Sequence, residues 1–228
     1  MISWWLADYW TGLGPHFTIA WVLWVILSIT FHELAHGWVA IRCGDDVPIQ
    51  TGHMTWNPFV HIPFPHAWIM FAVFGFTWGL MPTNPSNYRG RYDDAKVAFA
   101  GPAMNLILCL TCIVGDALWL TFAKDVQEPV QSIVHTVLWV GVAINLTGFV
   151  FNLIPVPPLD GSCILADFVP AYGRWRDTEG GQIGALIAMI ALFAVGSKYV
   201  WGFVFGASHV SIGLLTAILG GEYRGPVN

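Results

Sequence analysis

The chain has 228 residues, of which 56% are hydrophobic and only 10% charged, with 13 tryptophans, a net charge of -5 and a mean hydropathy of +0.61. Soluble domains carry roughly a quarter charged residues, so this composition cannot cover a water-facing surface and most of the chain must be solvated by lipid. The small negative charge, spread over loops, excludes a nucleic-acid-binding protein.

In chain order, Met1 to Pro15 carries no Lys or Arg ahead of the first apolar run, unlike a cleavable signal peptide. Its Trp4, Trp5, Tyr9 and Trp10 are expected to anchor one membrane interface. The first span runs from about Phe17 to Arg42 and contains Phe31-His32-Glu33-Leu34-Ala35-His36, an HExxH motif. On a helix, His32 and His36 fall on one face four residues apart, so both imidazoles can bind one zinc. Glu33 sits at the edge of that face, placed to take a proton from a zinc-activated water. Ionisable groups inside a span are costly and by default functional, which points to hydrolysis inside a membrane.

Ile62 to Met81 is apolar but opens with Pro63, Pro65 and His66 and is followed by Pro82, so it reads as a crossing or a re-entrant segment. Further spans are expected over Lys96–Ala123, over Gln131–Leu153 with an extension to Val169, over Ile183–Gly196 and over Val200–Leu219. The fold is therefore an all-α polytopic membrane protein with about five to six transmembrane helices. No stretch is polar enough for a second domain, so residues 1–228 read as one membrane-embedded unit. Cys109 and Cys112 match CxxC but lie inside an apolar helix, and with Cys43 and Cys163 they read as packing residues.

A catalytic zinc takes three protein ligands. The third candidate is Asp160, in Asn152-Leu153-Ile154-Pro155-Val156-Pro157-Pro158-Leu159-Asp160-Gly161. Three prolines break the helix there, and an unpaired carboxylate in apolar surroundings calls for a cation. Asn105, in Gly101-Pro102-Ala103-Met104-Asn105, offers an amide that can donate to an oxyanion. His53, His61 and His66 read as loop caps or entrance residues, with a second metal site as the sharper alternative. His16, His135 and His209 read as satisfied polar tips.

Together these motifs resemble the site-2 protease family of intramembrane zinc metalloproteases, from about Ser28 to Asp167 and in the family's order. The resemblance implies that His32, His36 and Asp160 bind one Zn2+ per chain, that Glu33 is the catalytic base, and that the substrate is a transmembrane protein in the lipid bilayer. Gly52 to His61 is similar to a signature of compact prokaryotic members, with departures at His53, at Pro63 and over Trp78 to Pro85. Two other classes stay open on the residues alone: a catalytically silent zinc-binding scaffold, and a haem-binding membrane protein.

Depth constrains topology. His36 lies about 9 Å of helix before Arg42, Asn105 about 14 Å after Lys96, and Asp160 about 15 Å before Pro170. These groups meet only if Arg42, Lys96 and Arg174 share one side, which makes the segment near 62–81 re-entrant. That side then holds Arg42, Arg89, Arg91, Lys96, Arg174, Arg176 and Arg224, against Lys124 and Lys198 on the other. The positive-inside rule puts it in the cytoplasm of a prokaryotic inner membrane, with the N-terminus outside.

Overall fold

The computed structural model describes residues 4–226, and the regular elements among them are all helical. The α-helices in order are α1 (Trp5–Gly12), α2 (Pro15–Cys43), α3 (Val47–Gln50), α4 (Pro58–His61), α5 (His66–Phe74), α6 (Asp93–Phe122), α7 (Val130–Asn152), α8 (Asp160–Phe168), α9 (Pro170–Arg176), α10 (Glu179–Ala191) and α11 (Ser197–Ile218), with a 3-10 turn at Pro85–Asn87 and a π-helical stretch at Leu192–Gly196. Five helical stretches are long and apolar enough to cross a membrane: Pro15–Cys43, Asp93–Phe122, Val130–Asn152, Glu179–Gly196 and Lys198–Ile218. The spans expected from sequence lie within a few residues of these.

Helices α2, α6 and α7 pack on one another and enclose the core. Phe17, Trp21 and Val25 of α2 meet Cys109 and Cys112 of α6, Val140 and Ala143 of α7, and Val204 and Ile212 of α11. Both cysteines are buried and unbridged, as packing residues should be. Proline in its first turn starts α2, where a missing N–H costs nothing, and Gly44 ends it.

The segment near 62–81 enters and returns. Helix α5 has nine residues, about 13 Å, against a hydrocarbon core of roughly 30 Å. Its far end is held by indoles: Trp4 and Trp5 donate to the Ala72 carbonyl at 2.6 and 3.0 Å, and Trp21 to that of Gly75 at 2.7 Å. The chain then runs back without regular structure, and the Leu80 N–H donates to the His61 carbonyl at 2.8 Å. The two ends of the segment therefore lie side by side.

Two expectations need correction. The third apolar stretch does not continue to Val169. Helix α7 stops at Asn152, the prolines at 155, 157 and 158 carry the chain through an irregular turn, and α8 begins afresh at Asp160.

The last two spans are not separated by a loop. Helix α10 passes into a π-helical stretch, Leu192–Gly196, and directly into α11, with Leu192 and Gly196 both in right-handed helical backbone. Residues 179–218 are thus helical throughout, about 60 Å. The segment after α11 packs against the α6–α7 connection and the first turns of α7: Lys124 Nζ donates to Gly220 O at 3.4 Å and His135 Nε2 to Arg224 O at 2.9 Å. Arg224 consequently sits beside Lys124 and not with Arg42 and Lys96. Six basic residues remain at the site end of the bundle. His135 also meets Asp116 at 2.8 Å and His209 meets Tyr223 at 2.5 Å, so both are satisfied polar tips.

Candidate active site

Helix α2 carries His32, Glu33 and His36, all buried, and α8 presents Asp160 from its first turn. The irregular turn after α7 swings that carboxylate onto the α2 histidines. Asp160 Oδ2 lies 3.2 Å from His32 Nε2 and 3.5 Å from His36 Nε2, and the two Nε2 atoms are 3.0 Å apart. Among the described residues this is the cluster of His, Cys, Asp or Glu that can hold a metal ion.

The donor chemistry tests whether zinc fits. His36 Nδ1 donates to the Val97 carbonyl at 2.7 Å, and His32 Nδ1 meets Asn105 Oδ1 at 2.6 Å. With both protons on Nδ1, both Nε2 atoms direct lone pairs at the same point. Asp160 Oδ2 is buried there with no hydrogen-bond partner. Two lone pairs and a carboxylate converging on one spot repel one another unless a cation lies between them. Tetrahedral zinc with bonds of about 2.0–2.1 Å spaces its ligands about 3.3 Å apart, close to the triangle seen here. The residues fit zinc.

Helix α6 is shaped to admit this cluster. Pro102 cannot donate to Ala98, loosening the turn whose neighbouring carbonyl, on Val97, receives His36. Gly101 lies directly against the metal-facing nitrogens: a Cβ there would collide with Nε2 of both histidines. Gly101→Ala should therefore fold but weaken zinc by about tenfold or more, since the imidazoles must leave their positions. Metal analysis of purified protein checks this, and full zinc retention would show that the ligands are free to shift.

The site opens into a cavity of about 980 Å³. Glu33 and Asn105 line it together with the three candidate ligands. Thr77, Trp78, Gly79 and Leu80 of the returning segment border the same space, and Gly79 packs so closely on Glu33 that a Cβ would clash with its carboxylate. Tyr88 also faces the cavity; burial pushes its hydroxyl up to about 12, keeping it a neutral donor.

Asn105 reaches the site, but not as an expected oxyanion donor. Its Nδ2 donates to Ser28 Oγ at 2.8 Å and to Asn145 Oδ1 at 3.2 Å, while its oxygen serves His32. Both amide protons are committed. Sequence reasoning missed Ser28 and Asn145; Ser28, one helical turn before His32, was the detectable signal. Asn152, the first residue of the proline-containing motif that ends in Asp160-Gly161, also lines the cavity. His53, His61 and His66 do not line it. His61 is buried and bonds the Thr55 carbonyl at 2.7 Å, and His53 bonds Thr51, as loop caps would.

Comparison with known proteins points to the family. The model of peptidase family M50 matches residues 20–122 and 119–195. The chain is 31% identical over 200 residues to "Putative zinc metalloprotease YwhC" of Bacillus subtilis, covering 86% of this chain and 91% of that protein. It is 30% identical over 177 residues to "Putative zinc metalloprotease Rip2" of Mycolicibacterium smegmatis, covering 73% of this chain and 64% of that one. It is also 30% identical over 187 residues to "Putative zinc metalloprotease Rip3" of Mycobacterium tuberculosis, covering 80% of this chain and 40% of that one. No solved structure matches the chain. A likeness that runs through α2, α6, α7 and α8 is far more than a chance HExxH, and it places this chain in peptidase family M50, as a multi-pass membrane zinc metalloprotease of the site-2 protease type.

Proposed function

We propose that this protein cuts peptide bonds in or beside transmembrane segments of other membrane proteins, acting as a single membrane-embedded domain. The observation that carries this reading is the position of His32, His36 and Asp160: they meet among apolar helices, on a cavity bordered by a re-entrant segment. A water-borne peptide has no need of such a site, whereas an apolar substrate segment reaches it laterally.

His32, His36 and Asp160 are the zinc ligands in this mechanism. A zinc ion held by them would supply Lewis acidity toward the attacking water and the scissile carbonyl. Glu33 removes the proton from that water and returns it to the departing amine nitrogen. It is close enough to His32, His36 and Asp160 to interact with each electrostatically. Asn105 holds His32 and leaves oxyanion stabilisation to another donor. Asn152 suits that role: its Nδ2 bonds the Gly148 carbonyl at 3.0 Å and has a second proton to give. A helical substrate must unwind before attack, and the non-helical returning segment from Phe76 to Met81, which borders the cavity, supplies an edge along which an unwound strand can lie.

Neither alternative class is favoured. Two nitrogens 3.0 Å apart are too close to ligate opposite faces of one haem iron, and a silent scaffold has no use for a buried Glu33. Membrane proteomics of cells carrying wild type or Glu33→Gln tests the substrate class: intact transmembrane proteins should accumulate with the variant. Accumulation of soluble proteins alone would overturn the reading.

The site end of the bundle faces the cytoplasm of a prokaryotic inner membrane in this proposal, because Arg42, Arg89, Arg91, Lys96, Arg174 and Arg176 gather there. In an active cysteine-free variant, single cysteines at Asn57 and Ser86 should label from the cytoplasmic side. A cysteine at Arg224 should label from outside, opposite to what the charge count alone assigned. Ser3, also expected outside, lies beyond the described residues. Labelling of Asn57 and Ser86 from opposite faces would reject the re-entrant arrangement.

A further inference from the structure

Ser28, Asn105 and Asn145 form a buried polar chain inside the α2–α6–α7 bundle, and they are 5%, 1% and 0% exposed. Three uncharged polar side chains in an apolar core are costly unless each bond is made in the right sense. The sense of this chain can be read from its far end. One terminal atom of the Asn145 amide lies 2.8 Å from the Gly141 carbonyl. A carbonyl only accepts, so that atom is the nitrogen and the oxygen of Asn145 must face the other way, toward Asn105. An oxygen there accepts, so the Asn105 amide turns its nitrogen to Asn145 at 3.2 Å, with its remaining proton on Ser28 at 2.8 Å. Its oxygen is then left facing His32 Nδ1 at 2.6 Å. An oxygen at that place requires a proton on Nδ1, which leaves the Nε2 lone pair for the metal.

We infer that Asn145 is a positioning residue for the metal site: anchored on the Gly141 carbonyl, it fixes the orientation of the Asn105 amide and through it the metal-binding tautomer of His32. This rests on the assignment of His32 as a zinc ligand. The relay has a directional consequence. Ser28 lies nearer to Asn105 than Asn145 does, but a hydroxyl both donates and accepts, so it tolerates either orientation of the amide. Asn145 tolerates only one. Without it, Asn105 can turn its nitrogen toward His32, which would favour a proton on Nε2 and oppose metal binding. Gly148 lies close by: a Cβ there would meet the Asn105 amide at 3.0–3.1 Å, so a side chain at that position would press the amide out of place by a few tenths of an ångström.

The test is zinc affinity, measured by chelator competition on purified full-length protein in detergent, with cleavage as a second readout. Asn145→Leu should weaken zinc about 10- to 100-fold, the range typical for loss of an outer-shell partner, and Ser28→Ala should weaken it less. Asn145→Ala replaces the leucine variant should that one not fold, and size-exclusion profiles of the metal-free proteins report folding. Rescue separates orientation from packing. In Asn105→Asp/Asn145→Leu the carboxylate presents an oxygen to His32 whichever way it turns, so zinc affinity should recover to within about threefold of Asn105→Asp alone. Cobalt-loaded protein should show the same pattern in its visible spectrum, perturbed in Asn145→Leu and restored in the double variant. Affinity in Asn145→Leu equal to wild type, or a larger loss in Ser28→Ala, overturns the relay, as does failure of Asn105→Asp to rescue Asn145→Leu. His32→Ala distinguishes the two levels of inference: zinc retained in that variant would refute the ligand assignment itself, whereas zinc lost there and kept in Asn145→Leu would refute the relay alone.

Discussion

Glu33→Gln should purify with its zinc and cleave its substrates about 100- to 10,000-fold more slowly, the range that positioned proton transfer contributes. Glutamine has the shape of glutamate, and Glu33 is outside the triangle made by His32, His36 and Asp160, so the metal should stay. What disappears is the only side chain of the HExxH turn that can accept a proton from the attacking water. No neighbour substitutes for it. Gly79 closes the space beside the carboxylate, and the other cavity acid besides Asp160 is Asp94, at the start of α6. The cost to folding should be slight, because the change removes a buried charge and not a packed apolar group. Zinc by elemental analysis and single-turnover cleavage of a transmembrane substrate check the two halves separately. Undiminished cleavage would remove Glu33 from the mechanism.

Much of this site was legible in the sequence because its chemistry is expensive. A histidine pair one helical turn apart, a lone carboxylate behind three prolines and an asparagine beside Gly101-Pro102 each stand out in apolar surroundings, and the structure brings all of them to one cavity. The depth argument also carried over: the hydrogen bond from Leu80 to His61 closes the segment that had to return. What could not be read was the direction of hydrogen bonds. Asn105 was recognisable as a polar group near the site, but whether its amide faced substrate or ligand depended on Ser28 and Asn145, residues from two other helices. The run from Ile183 to Leu219 misled for a different reason. The apolar runs read as two spans, Ile183–Gly196 and Val200–Leu219, whereas the π-helical stretch Leu192–Gly196 carries α10 directly into α11 as one continuous helix. Arg224 was carried to the wrong end of the molecule by that single misplaced turn.

Asp160→Ala should lose zinc far more completely than any of the changes around the site. Removal of an outer-shell partner costs roughly 10- to 100-fold in affinity, and removal of a ligand should exceed that, leaving purified protein with a minor fraction of metal and no measurable cleavage. The fold should survive. Asp160 Oδ2 has no hydrogen-bond partner to leave stranded, and the turn that places it is held by its own bonds, among them Tyr172 to the Pro155 carbonyl at 3.0 Å. In the metal-free variant the two Nε2 atoms, 3.0 Å apart, should relieve their opposition by admitting a proton or a water between them. Sequence alone would nominate His53 or His61 as the replacement ligand if zinc were retained. Neither lines the cavity, and ring nitrogens of both serve loop backbone or hydroxyls. Glu33 is the acid best placed to swing in. Zinc retained by Asp160→Ala but lost from Asp160→Ala/Glu33→Gln would identify that substitution. Zinc retained by both variants would mean that two histidines suffice to hold it and that Asp160 has another task.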